Sequence, residues 1–363
     1  MKIKSINTGL LLSPLKTPFI TAVRSVDVLT DVIVRIETDT GLVGWGAAAP
    51  TAKVTGETVG SITGAVNEVI APQLLESDCG YLEGNLDLLD GALLHNTSAK
   101  AAVDIALHDI WGKSVGQPVW KLFGGNGKSI VSDVTISLNS PEVMAADTVA
   151  AVERGFSIVK IKVGGEVSLD FERLKTIFNA VGSNVKVRLD ANQGWKPNEA
   201  VKILCEMETS GFAIELVEQP VKSFDMDGLR FVTAHSPFPV MADESCQSVK
   251  DAIDIIKTHA ADMINIKLMK CGGIRGALRI ISVAQAFGVK VMVGAMLEGK
   301  VSAAAAAHIA SSFSCVSSVD LDGPNLCSEH LVSGGPVFTD GPEIHMNDNA
   351  GFGITDVPGV IWN

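Results

Sequence analysis

Lys162, Asp190, Glu218, Asp243 and Lys267 follow one another at intervals of 28, 28, 25 and 24 residues. Each lies at or near the end of a short apolar run rich in β-branched residues: SIVKIKV, VKVRLDAN, FAIELVEQ, PVMADES and DMINIKLM. Three acids without nitrogen or sulfur partners form a hard oxygen set, which suits Mg²⁺ and disfavours zinc or copper. Any one of them alone reads as easily as a helix cap or an Asx-turn. Asp190, Glu218 and Asp243 together, at matching positions, read as one metal site. Lys160 and Lys162 are two apart and so share one face of a strand. Buried ammonium groups need acids or a ligand beside them. A second cation and a metal nearby would lower a lysine pKa toward that of a general base. Lys267, on a strand across from Lys162, could reach the same substrate carbon from its other side. A solvent-facing Lys-Ile-Lys is the plainer alternative. No histidine falls on a predicted strand end, and no GxSxG or Cys/His arrangement points to a nucleophile.

The spacing defines the scaffold. A strand, a helix and two loops occupy roughly 25–30 residues in a (β/α)8-type (TIM-like) barrel of about 250 residues, whose catalytic groups come from the C-terminal ends of several strands. IVSDVTISL, the five runs above, VKVMVGAML and CVSSVDLDGP make eight predicted strands. A doubly wound sheet also alternates strand and helix, but gathers its ligands at one switch point. Residues 1–50 instead alternate apolar and polar, with a hairpin signal at Thr40-Gly41, and 56–122 carry helical periodicity that Gly116 and Pro118 end. The expected division is an N-terminal α+β capping domain (1–125), a (β/α) barrel (126–328) and a tail (329–363) that packs back on the cap.

Composition narrows the classes. With 47% hydrophobic and 19% charged residues in 363, the chain reads as a soluble enzyme with a large core. A net charge of −12 and the lack of a basic cluster argue against nucleic acid. No apolar run is long enough to span a membrane, and no leader peptide is evident, so a cytoplasmic location is expected. Six scattered cysteines without a CxxC pair read as free thiols.

These features resemble the enolase superfamily, and within it the muconate-lactonizing-enzyme subgroup. AAVDIALHDIWGKSVGQPVWKLFGG, KIK at 160–162, DANQGW at 190–195, VEQP at 217–220, ADES at 242–245, NIKLMKCGG at 265–273 and GAMLEGKVSAAAAAH carry the resemblance over nearly the whole chain. The sister subgroup resembling mandelate racemase would end the seventh strand with a histidine, where this chain has GAMLEG. The resemblance implies removal of a proton next to a carboxylate, with Mg²⁺ stabilising the product anion and lysine as base. It implies Lys162 and Lys267 as the catalytic pair and a dipeptide as substrate. Asp320 and Asp322 in VDLDGP are similar to the acid pair that receives the free α-ammonium group in dipeptide epimerases; Asp322 alone could also be a turn acid. Arg24, in a loop near 15–30 expected to close over the barrel, matches the arginine that takes the glutamate side chain in Ala-Glu epimerases. Thr135 matches a further substrate contact, and Lys160 is expected to tune Lys162 and touch the substrate carboxylate. The implied activity is epimerisation of L-Ala-D/L-Glu-type dipeptides in murein peptide recycling, by a homo-oligomer. N-acylamino acid racemisation, muconate cycloisomerisation, o-succinylbenzoate synthesis and a catalytically silent binding protein are the alternatives.

Overall fold

The computed structural model describes residues 1–20 and 25–363. Three antiparallel strands open the chain: β1 (Ile3–Ile20), β2 (Ser25–Thr38) and β3 (Val43–Ala48). The predicted turn joins the last two, with Gly41 at φ +83°. The helix Thr97–Ser114 lies across this sheet, buried on nearly every face. Two glycines of β3 let it come so close: a Cβ on Gly46 would meet the Ala102 carbonyl oxygen at 1.8 Å, and one on Gly44 the Ala106 oxygen at 2.3 Å. Glu57 caps the helix, accepting from the amides of Ser98 (2.8 Å) and Ala99 (3.1 Å).

Eight parallel strands follow in sequential order: β4 (Val134–Ile136), β5 (Ile158–Lys162), β6 (Lys186–Asp190), β7 (Ile214–Glu218), β8 (Val240–Ala242), β9 (Met263–Lys267), β10 (Lys290–Gly294) and β11 (Val316–Asp320). Helices separate them, so the sheet is covered on its outer face and curls into a nearly closed barrel. Hydrogen bonds from Asp133 N to Val319 O (3.3 Å) and from Leu321 N to Ser132 Oγ (2.9 Å) bring the last strand beside the first. One sequence expectation needs correction here. IVSDVTISL is not a single strand: Ile130–Val131 pairs with Glu343–His345 from the tail, and only Val134–Ile136 enters the barrel. Between them the backbone changes partner, from Ser132 N bonded to Pro342 O of the tail to Asp133 N bonded to Val319 O of the barrel.

Buried carboxylates join cap to barrel. Asp104, on the long cap helix, accepts from Ile274 N (2.8 Å) and Arg275 N (3.2 Å) at the start of the barrel helix Ile274–Ala286. Asp31 of β2 accepts from Gly299 N (3.1 Å) at the start of the helix Lys300–Ala310. An acid at a helix N-terminus satisfies amides that have no partner within the helix. The tail returns to the cap sheet, where Ile361–Trp362 pairs with β1, and Phe352 N donates to Asp109 (2.9 Å). All six cysteines are free. Among the described residues no helix is long and apolar enough to cross a membrane.

Candidate active site

Inside a barrel strand every second residue faces the axis. That alternation turns Lys160 and Lys162 of β5, Asp190 of β6, Glu218 of β7 and Asn265 and Lys267 of β9 inward, with Asp243 following β8 and Asp320 closing β11. β5 and β9 are second and sixth of eight, so Lys162 and Lys267 stand on opposite walls. A single cavity of about 90 Å³ is lined by Thr135, Lys160, Lys162, Asp243, Lys267, Asp320 and Asp322, with Phe19, Thr51, Lys53 and Val54 reaching it from the cap. A roomier cavity of about 580 Å³ lies on the outer face of the cap, against Arg35, Trp45 and Trp362, but it has no lysine and one acid, Asp356. Volume alone would choose that one. The chemistry lies in the smaller.

The ion pairs are dense. Lys160 Nζ sits 3.0 Å from Asp190, 2.8 Å from Glu218 and 2.7 Å from Asp320. Lys162 Nζ donates to Asp190 Oδ2 at 2.6 Å, and Lys267 Nζ to Asp243 Oδ2 at 2.8 Å. Lys270 adds a fourth ammonium group, 2.6 Å from Asp243 Oδ1 and bonded to the Asp243 and Asn265 carbonyls. Asp190 Oδ1 accepts from Asn192 N (2.9 Å), so this acid does form an Asx-turn while Oδ2 still faces the lysines. Asp322 Oδ2 accepts from Thr135 N (2.6 Å), which ties the eighth strand end to the first.

Six carboxyls (Asp190, Glu218, Asp243, Glu244, Asp320, Asp322) thus surround four ammonium groups. The excess appears in their protonation. Burial, with Asp190 beside it, pushes Glu218 up to about 7. Burial and Asp243 push Glu244 to about 7, and burial and Asp320 push Asp322 to about 6. Burial works against a charged Lys160, but Asp190, Asp320 and Glu218 hold it well above its ordinary value. Lys267 is likewise raised against burial by Asp243. In these ion pairs the acids are closer and more numerous than the neighbouring ammonium groups, and they dominate for Lys160 and Lys267.

Among the described residues no three acid, histidine or cysteine side chains alone enclose an ion, because Lys160 and Lys267 bridge the acids. The donor set nonetheless fits a hard divalent cation. Asp190, Glu218 and Asp243 are oxygen donors from adjacent strand ends, and all are buried. Among the described residues Glu218 Oε2 and Asp243 Oδ1 receive no well-directed hydrogen bond, and the surplus of acid matches an added positive charge.

The backbone around these acids is held in uncommon conformations. Asn192, Gln193 and Gln219, directly after the strands carrying Asp190 and Glu218, have φ of +42°, +68° and +36°. Left-handed non-glycine residues gather where the surroundings over-determine them, often at functional sites. Gln219 supplies the restraint: its Oε1 accepts from Asp243 N (2.9 Å) and Ser245 N (3.1 Å), while Nε2 donates to Val221 O and Ser245 Oγ.

Nine of the ten site residues singled out in the sequence gather here; Arg24 lies outside the described residues. Asn265, Lys270 and Glu244 had no role from sequence. Asn265 was findable, since it precedes Lys267 by two and must share its inward face. Lys270 follows the strand, in the short helix Leu268–Cys271, where no periodicity points it at Asp243.

A capped eight-stranded barrel with acids and lysines on its strand ends defines a class of proton-transfer enzyme, and the chain belongs to it. It matches the mandelate racemase / muconate lactonizing enzyme N-terminal domain over residues 6–124 and the enolase C-terminal domain-like family over 143–356, which places it in the enolase superfamily. Among known proteins it is 49% identical to the L-Ala-D/L-Glu epimerase of Clostridium acetobutylicum, over 98% of this chain and 99% of that one. Its fold superposes on a substrate-liganded complex of the L-Ala-D/L-Glu epimerase from Bacillus subtilis with a TM-score of 0.96, at 44% identity and 99% coverage of both chains. The dipeptide epimerase of Enterococcus faecalis, complexed with Mg and L-Leu-L-Tyr, superposes with a TM-score of 0.95 at 37% identity, over 98% of this chain and all of that one. The protein is an isomerase of the epimerase and racemase kind.

Proposed function

We propose that the protein epimerises L-Ala-D/L-Glu-type dipeptides at the α-carbon of the second residue, in murein peptide recycling. The observation that carries this reading is the pair Lys162 and Lys267, on opposite walls of the barrel beside three buried acids. One lysine takes the α-proton as its C–H bond breaks, and the electron pair spreads into the substrate carboxylate. The other, as an ammonium group, returns a proton to the opposite face, so the carbon inverts with no net change in atoms. Asp190, Glu218 and Asp243 would hold Mg²⁺, which supplies charge stabilisation to that carboxylate as the proton leaves. Lys160, within reach of two of these acids, fixes their orientation and presents a further positive charge to the substrate carboxylate.

Asp320 and Asp322 are the candidates for the free α-ammonium group; Thr135 holds Asp322 in place through its amide. Muconate, a dianion without an amine, would be repelled there. Arg24 is proposed to take the glutamate side chain in two parallel hydrogen bonds. Identity of 44–49% to L-Ala-D/L-Glu epimerases supports the choice of dipeptide. The test is solvent exchange in D2O with Mg²⁺. L-Ala-L-Glu should take up deuterium at the glutamate α-carbon, read by NMR, and give both epimers. Faster exchange of Ala-Phe or Ala-Leu than of Ala-Glu would overturn the substrate and leave the lysine chemistry standing.

A further inference from the structure

We infer that Asn265 is a positioning residue for Glu218, and that Gly294 is glycine because Asn265 occupies the space beside it. The inference rests on Glu218 as a metal ligand. Asn265 is fully buried on β9, and its Nδ2 donates to Glu218 Oε1 at 2.9 Å. That bond crosses β8, which lies between the two strands. It satisfies one oxygen of Glu218 from the side and leaves Oε2, which has no well-directed hydrogen bond, facing the acid and lysine cluster. A buried carboxylate on a strand end keeps its side-chain torsions free unless something fixes them. Outer groups that hydrogen-bond a ligating carboxylate set its orientation, and losing them typically weakens metal binding or activity about 10–100-fold.

The other side of the amide explains Gly294. Among the described residues Asn265 Oδ1 has no hydrogen-bond partner, and a Cβ placed on Gly294 would meet it at 2.6 Å and Nδ2 at 3.0 Å. Gly294 does not have a positive φ, so its backbone does not demand glycine. Space does. Any side chain there pushes the amide, and with it the hydrogen bond to Glu218. Asn265 meets both demands: it is short enough to lie against β10 and carries an N–H donor at the height of Glu218.

The experiment is Mg²⁺ titration of the metal-free full-length protein by isothermal calorimetry, with circular dichroism and thermal melts as controls for folding. Asn265→Leu keeps the size and removes the donor; Asn265→Ala removes the donor with less crowding; Gly294→Ala leaves the amide intact and displaces it. Each should weaken Mg²⁺ binding about 10–100-fold, and kcat should recover toward wild type once Mg²⁺ saturates, which a general loss of packing would not allow. Glu218→Gln is the reference. If it loses Mg²⁺ binding while the folded Asn265 and Gly294 variants bind as wild type does, the positioning role is wrong and the metal site stands. If Glu218→Gln binds Mg²⁺ as wild type does, or wild type binds none, the metal assignment falls and this inference falls with it.

Discussion

The two ends of the barrel are built from the same strands and are opposite in character. Toward the N-terminal ends, two residues before Glu218 and Asp243, lie Leu216 and Met241, which pack with Met292 and Met263 into an apolar plug. An ion network there is nearly closed: buried Arg188 meets Asp133 at 2.8 Å and the half-buried Glu215 at 2.6 Å, and donates to Val319 O at 3.1 Å. At the C-terminal ends the same alternation places an excess of acids, lysines bridging them, and carboxyls pushed toward neutral pH. The lower end is arranged for stability, since Arg188 pairs with both acids beside it, although burial and the nearby Asp320 still hold Asp133 well above the usual carboxylate range. The upper end is not. Strained, imperfectly satisfied groups of this kind mark functional sites in otherwise consistent structures.

That contrast can be broken by experiment, and the largest effects belong to the upper end. Excess EDTA, or Asn in place of Asp190 or Asp243, should remove several kcal/mol of transition-state stabilisation, at least about a thousandfold in rate. Circular dichroism should remain that of the folded protein. Activity that persists in EDTA rules out the metal.

Lys162→Ala and Lys267→Ala should each lower epimerisation by about 10²–10⁴-fold. Each should also spare α-deuterium exchange of one epimer more than the other, because each lysine serves one face of the carbon. Equal losses for both epimers in both variants would show that the lysines do not divide the two faces.

At the lower end the pattern should invert. Arg188→Met leaves the Asp133 carboxylate buried without its partner, a loss of about 3–5 kcal/mol in urea unfolding. Its kcat per folded molecule should match wild type. A stable Arg188→Met protein with reduced kcat would mean that the two ends are not separable.

The smallest expected effect is at the cap. Arg24→Met should lower kcat/KM for Ala-Glu by about one to two decades, the worth of hydrogen bonds to a charged group at roughly 1.5–3 kcal/mol. Dipeptides with apolar second residues should be unaffected. An equal loss for both substrates would move Arg24 from specificity to folding or catalysis.

The sequence by itself determined the barrel and most of its candidate site, for a local reason. Strand alternation fixes which residues face inward, and a nearly constant spacing fixes which of them sit at strand ends, so Lys162, Asp190, Glu218, Asp243 and Lys267 could be read one strand at a time. Resemblance added Asp320, Asp322 and Thr135; by residue type alone Asp322 fits a turn as well as a site, and a strand-end threonine carries little signal.

Only the tertiary structure decided which charges meet. Lys160 pairs with Asp320 across 160 positions, and Thr135 with Asp322 across 187, because the barrel closes its eighth strand beside its first. Lys270 reaches Asp243 from a short helix outside the strand pattern, and Asn265 reaches Glu218 across an intervening strand into space that Gly294 leaves bare. Spacing along a chain gives height on a strand. Partners around the ring depend on closure and stagger, which no single strand encodes.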